Sequence, residues 1–141
     1  MKVCGVEIKS NEVIVSLLSL DDGLFLIPDC RARRLTLANI NSTQDLREFQ
    51  FAFAKLMSDY QVEVVAIKQR PMKGKFAGGA VGFKLEAAIE LISELKVVLI
   101  SATQSKQVLK DNPMPVDFST TGLKAFQEIA FTTAYVACMA E

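Results

Sequence analysis

Five cations lie close together in this chain, Lys68, Arg70, Lys73, Lys75 and Lys84, and two aromatic residues, Phe76 and Phe83, fall among them. They follow the apolar run Val64-Val65-Ala66-Ile67 and share their stretch with Gly74, Gly78, Gly79 and Gly82. A strand therefore opens into a basic, glycine-rich loop and then into a helix. Such a junction suits an anion: glycines let backbone approach a ligand, and a helix start offers unpaired N–H groups and a positive dipole. With the ring faces included, the pattern fits phosphates beside stacked bases, that is, a nucleic acid. A plainer reading stays open, in which the charges are a solvated loop and the aromatics pin it to the core or form a dimer contact.

Composition narrows the alternatives. There is no histidine, which removes Ser/His and Cys/His nucleophilic pairs, histidine general bases and histidine–zinc sites together. Cys4, Cys30 and Cys138 are scattered and contain no CxxC pair, so they read as packing residues or thiols rather than as a disulfide framework or a zinc site. Any hydrolysis must rest on carboxylates, with Mg2+ or Mn2+ as the cofactor. Sixteen basic residues balance 16 acidic ones, so attraction to a polyanion must come from local clustering. The start MKVCGVEIK is too short and charged for a signal peptide, and no apolar run is long enough to span a bilayer. The expectation is a cytoplasmic chain of 141 residues folding as one domain, 1–141.

The elements that position these residues follow from periodicity. Val3 to Ile8 and Val13 to Leu18 flank Ser10-Asn11 and predict an antiparallel hairpin. After Asp21-Asp22-Gly23, Leu24 to Ile27 continues as a third strand, broken at Pro28 and extended by Arg34 to Leu37. Ser42 and Asp45 mark a helix start, and Leu46, Phe49, Phe53, Leu56, Met57 and Tyr60 recur at helical spacing. Val62 to Ile67 and Lys96 to Ile100 read as buried parallel strands. Between them, Val81, Leu85, Ala88, Ile89, Ile92 and Leu95 share one helix face and Glu86, Glu90 and Glu94 the other. Ser101 with Gln104 caps a short helix through Leu109, and a last helix is expected from about Gly122 to Cys138. The predicted order is βββ-α-β-α-β-α-α: an α/β mixed sheet with a three-stranded antiparallel meander, two parallel strands and flanking helices.

This order and its residues resemble the ribonuclease H-like superfamily, most closely the RuvC-type Holliday junction resolvases. Cys4-Gly5-Val6-Glu7-Ile8 is similar to that family's first strand, which carries a metal-binding carboxylate. Ala66-Ile67-Lys68-Gln69, the basic loop and Gly79 to Ala88 resemble its fourth strand, loop and long helix. Ser101-Ala102-Thr103-Gln104-Ser105-Lys106-Gln107 is similar to its Gln- and Lys-rich segment after strand five. The resemblance implies two divalent metals held by clustered acids. Glu7 keeps the first acid, one methylene longer; the second belongs where Lys68 stands; the others belong near Lys124, Gln127 and Glu128, leaving Glu128 as the candidate.

The resemblance therefore implies a RuvC-like protein with its acidic site degraded: a nucleic-acid binder of branched or single-stranded DNA that is an inactive or altered nuclease homologue. Its contacts would be Arg70, Lys73, Lys75, Phe76, Phe83, Lys84, Gln104 and Lys106. If it is instead an active Mg2+-dependent endonuclease, Glu7 and Glu128 would hold the metal. A third reading is a structural or protein-interaction domain using the apolar surface near Phe51, Phe76 and Phe83, and a homodimer fits any of these. Two plainer roles also stand: Lys68 as an ion-pair partner of Glu7, and Glu128 as half of a solvated i,i+4 pair with Lys124.

Overall fold

The computed structural model describes residues 1–75 and 78–140. Strands β1 (Lys2–Lys9) and β2 (Glu12–Asp21) form the expected hairpin, in register from Lys2 opposite Ser19 to Lys9 opposite Glu12. Asp22 and Gly23 take φ of 51° and 78°, the left-handed pair that a two-residue hairpin turn requires, and lead into β3 (Leu24–Leu26). Then the third strand breaks, as Pro28 predicts. Its second part, β4 (Arg34–Thr36), returns to pair with Glu12 to Ile14 at the other end of β2.

The remaining elements are helix α1 (Thr43–Asp59), strand β5 (Val64–Lys68), helix α2 (Ala80–Glu90), strand β6 (Lys96–Ile100) and helices α3 (Ala102–Asp111) and α4 (Glu128–Ala140). β5 and β6 add in parallel to β1, giving the order β3-β2-β1-β5-β6 with β4 also on β2. Side chains alternate across the sheet with period two. Cys4, Val6, Ile8, Val65 and Ile67 face α1 and α2, whereas Val3, Val64, Ala66 and Ile100 join the core beneath α4. Gly5 lies on the α4 side, and a Cβ there would run into the Ala130 carbonyl oxygen and come within 2.7 Å of the Ala134 nitrogen. The central strand thus seats α4 directly on its backbone. Among the described residues no helix is long and apolar enough to cross a membrane.

Three expectations are corrected. α2 ends at Glu90 with Leu91 as its cap, so Ile92, Glu94 and Leu95 lie beyond it. Glu86, placed by periodicity on a polar face, is buried at 5% exposure. α4 begins at Glu128 rather than Gly122. The chain first makes a 3-10 turn over Ala125–Gln127, and Gln127 holds it there by accepting from the Lys124 N–H at 3.0 Å and donating to the Val15 carbonyl at 2.9 Å.

Candidate functional site

The parallel register places Val6 beside Ile67, and one step on brings Glu7 and Lys68 to the carboxyl ends of neighbouring strands. Both fall on the α4 face, two residues beyond Gly5 and Ala66. Glu7 is half-buried, and this burial raises its carboxyl above the ordinary range, an effect that Lys68 and then Lys9 partly offset. No ion pair within 4 Å joins it to Lys68; the two attract only at longer range. The direct Glu7–Lys68 bridge is therefore not formed.

Lys68 opens instead into a cleft of about 570 Å3, shared with Lys106 from α3 and Glu128 from the first turn of α4. Hydroxyls of Ser101, Thr103, Ser105 and Thr132 line it, and Ile100, Leu109 and Ile129 give it an apolar wall. Ser101 also caps α3, its Oγ accepting from the Gln104 N–H at 3.0 Å, so the cleft includes a helix N-terminus. Gln104 belongs to that cap and is not a lining residue. The Glu128–Lys124 pair is not formed, because Lys124 precedes the helix and lies outside i,i+4 geometry. A carboxylate at a helix start is favourable in its own right. Lys68, Lys106 and Glu128 make no hydrogen bond or close ion pair among the described residues. Each had a local signal in the sequence; the hydroxyl lining had none.

The basic loop is arranged differently from its sequence expectation. Arg70 turns inward, its guanidinium 4.4 Å from the centre of the Phe83 ring. A Cβ on Gly78 would lie 2.7 Å from Arg70 Nη1, and one on Gly82 would collide with the same guanidinium. These glycines therefore make room for Arg70 and not, at this point, for a ligand. Lys84 donates to the Ile40 carbonyl at 3.0 Å, tying α2 to the segment before α1. Lys73 and Lys75 are exposed at the same sheet end as the cleft. Phe76 lies outside the described residues. Phe51 is 73% exposed on α1, while Phe83 is engaged by Arg70.

Beneath the loop, Arg70 Nε and Nη2 and Glu86 Oε1 are buried without hydrogen-bond partners among the described residues. In sequence, only the i,i+4 and i,i+3 spacings of Gly82 and Phe83 to Glu86 on α2 hint at this neighbourhood. Burial raises the Glu86 carboxyl, with Glu90 adding to the effect and Arg70 opposing it. A raised folded pKa means stability that is present below the unfolded pKa and declines as pH rises through the folded one. Glu86→Gln should therefore gain on wild type as pH rises above the ordinary glutamate range of about 4, as read by urea unfolding. A difference independent of pH would show that Glu86 is not held in this buried setting.

A family model described as "Protein of unknown function (DUF3010)" matches residues 1–137. The chain belongs to the DUF3010 family. No curated protein matches this DUF3010 chain in sequence. Its fold is similar to Thermus thermophilus RuvC, with TM-score 0.74 and 12% identity over 99% of this chain and 94% of that one. T. thermophilus RuvC in complex with Holliday junction substrate aligns at TM-score 0.68 and 12% identity, covering 99% and 93%. Fowlpox virus resolvase in complex with Holliday junction DNA aligns at 0.57 and 14%, covering all of both chains. This chain thus has a ribonuclease H-like fold, and the likeness at such identity concerns the fold alone. The divalent metals that this fold implies do not fit the donors of this chain. Among the described residues no three of His, Cys, Asp and Glu gather to hold a metal, and the ammonium of Lys68 faces the cleft that Glu128 lines.

Proposed function

We propose that this DUF3010 chain binds branched or single-stranded nucleic acid in the cleft at the carboxyl ends of β1, β5 and β6, and that it is an inactive or altered relative of the metal-dependent nucleases. One observation carries this reading: Lys68 and Lys106, from different elements and without a side-chain partner among the described residues, converge on one cleft beside a capped helix start. Two ammonium groups, unpaired among the described residues, together with lining serines and threonines suit phosphodiester oxygens. Lys73 and Lys75 extend the positive surface along the same sheet end. Two structures of similar fold, those of T. thermophilus RuvC and the fowlpox virus resolvase, are complexes with Holliday junction DNA, which supports a four-way junction as the first ligand to try.

The test is fluorescence anisotropy with labelled four-way-junction and single-stranded DNA across a salt series. Wild type should show affinity falling linearly with salt on a log–log plot. Lys68→Gln with Lys106→Gln should flatten that slope by about 2 and weaken binding to all sequences alike. An unchanged slope in the double variant would place the interface elsewhere.

A further inference from the structure

Phosphate contacts leave half of the cleft unexplained. Ile129 is 39% exposed at the start of α4, although Ala130, Phe131 and Thr133 to Cys138 of that helix are buried, and it lines the cleft with Ile100 and Leu109. A site for backbone alone needs no apolar wall. Beside this wall stand two groups with no side-chain hydrogen bond among the described residues: the Glu128 carboxylate, which only accepts, and the Thr132 hydroxyl, which accepts or donates. The neighbouring Thr133 hydroxyl is already spent on the Ile129 carbonyl at 2.8 Å. A volume of about 570 Å3 is in the range of small-molecule sites and admits a base together with its sugar and phosphate.

We infer that the cleft takes a whole unpaired nucleotide, with its phosphate on Lys68 and Lys106 and its base against Ile100, Leu109 and Ile129. This rests on the nucleic-acid reading above and specifies its ligand: a strand with an unstacked base, found in single strands and at branch points, rather than a continuous duplex. The carboxylate of Glu128 accepts from an exocyclic amine on the base edge, so cytosine, adenine and guanine fit better than thymine. The glutamate in an otherwise anion-binding cleft then has a purpose, since a site built for phosphate alone would be weakened by it.

The experiment compares fluorescein-labelled oligodeoxycytidine with an abasic strand of equal length and charge. The full strand should bind roughly fivefold tighter, the low end of what a base contact contributes. Ile129→Ser, at an exposed position and checked by thermal melting, should abolish that preference and leave abasic affinity unchanged. Lys68→Gln should weaken both strands equally. Equal binding of both strands by wild type would overturn the nucleotide pocket and leave the backbone-binding reading intact. A preference that survives Ile129→Ser would also overturn it, because the base would then be held elsewhere. If neither strand nor a four-way junction binds, both readings fall.

Discussion

Gly5→Ala should destabilise the protein by about 3 kcal/mol or more, the upper end of overpacking in a closed core. The added methyl would run into the carbonyl oxygen of Ala130 and press on the nitrogen of Ala134, and both atoms are helix backbone. No rotamer change relieves such a collision; α4 has to lift from β1. That movement would loosen a cluster containing Phe131, Ala134, Tyr135, Val136 and Cys138, and also the Tyr135 hydroxyl's contacts to Asn112 and Pro113. Because α4 carries Glu128 and Ile129, it would open the cleft as well, and DNA binding should decline with stability. Gly79→Ala is the control, since nothing lies within 4 Å of a Cβ at that position. Urea unfolding of the two variants checks the claim. Gly5→Ala as stable as Gly79→Ala would mean that α4 is not seated on β1 at this point.

Gly5 also shows where sequence reading stops. The hairpin, the two parallel strands and the serine caps at Ser42 and Ser101 were legible because each is a local pattern of periodicity or capping, although β5 starts at Val64 rather than Val62 and β6, expected to be buried, is an edge strand with only Ile100 buried. Gly5 stood in the same stretch as a motif residue, yet its role depends on a helix more than a hundred residues away. The late start of α4 has the same origin. Gln127 reads as an ordinary helical residue until its amide meets the Val15 carbonyl, and no window of sequence contains both. Arg70 was read as a nucleic-acid contact and Glu86 as part of a polar helix face, and only tertiary packing reveals that the glycines nearby accommodate a guanidinium. For the candidate site, Lys68, Lys106 and Glu128 were each singled out, but on different grounds. Their convergence needed the crossover order of the sheet, which the ribonuclease H-like resemblance supplied and local pattern could not.

Lys68→Glu should have the largest effect on ligand behaviour, because it reverses the charge on which the metal argument depends. In wild type, the Lys68 ammonium favours the ionised form of Glu7 and faces the cleft beside Glu128. Neither Mg2+ nor EDTA should then change the melting temperature of wild type. A carboxylate at position 68 would stand next to Glu7 in the parallel register and face the cleft that Glu128 lines. Like charges at that range raise one another's pKa and penalise the folded state at neutral pH. Without metal the variant should melt about 5 °C lower and bind DNA more than tenfold more weakly. Millimolar Mn2+ should restore much of the melting temperature, since clustered carboxylates are ligands for a hard cation and binding to the folded state alone adds about 2.7 kcal/mol at a hundredfold excess over Kd. Thermal shift with Mn2+, Mg2+ and EDTA distinguishes the outcomes. A wild-type response equal to that of the variant would mean that the cleft already binds a divalent ion despite Lys68. A variant that stays destabilised in Mn2+ would mean that Glu7 and Glu128 do not approach position 68 closely enough to share one. Recovery confined to the variant would identify this single lysine as what separates the cleft from a metal centre.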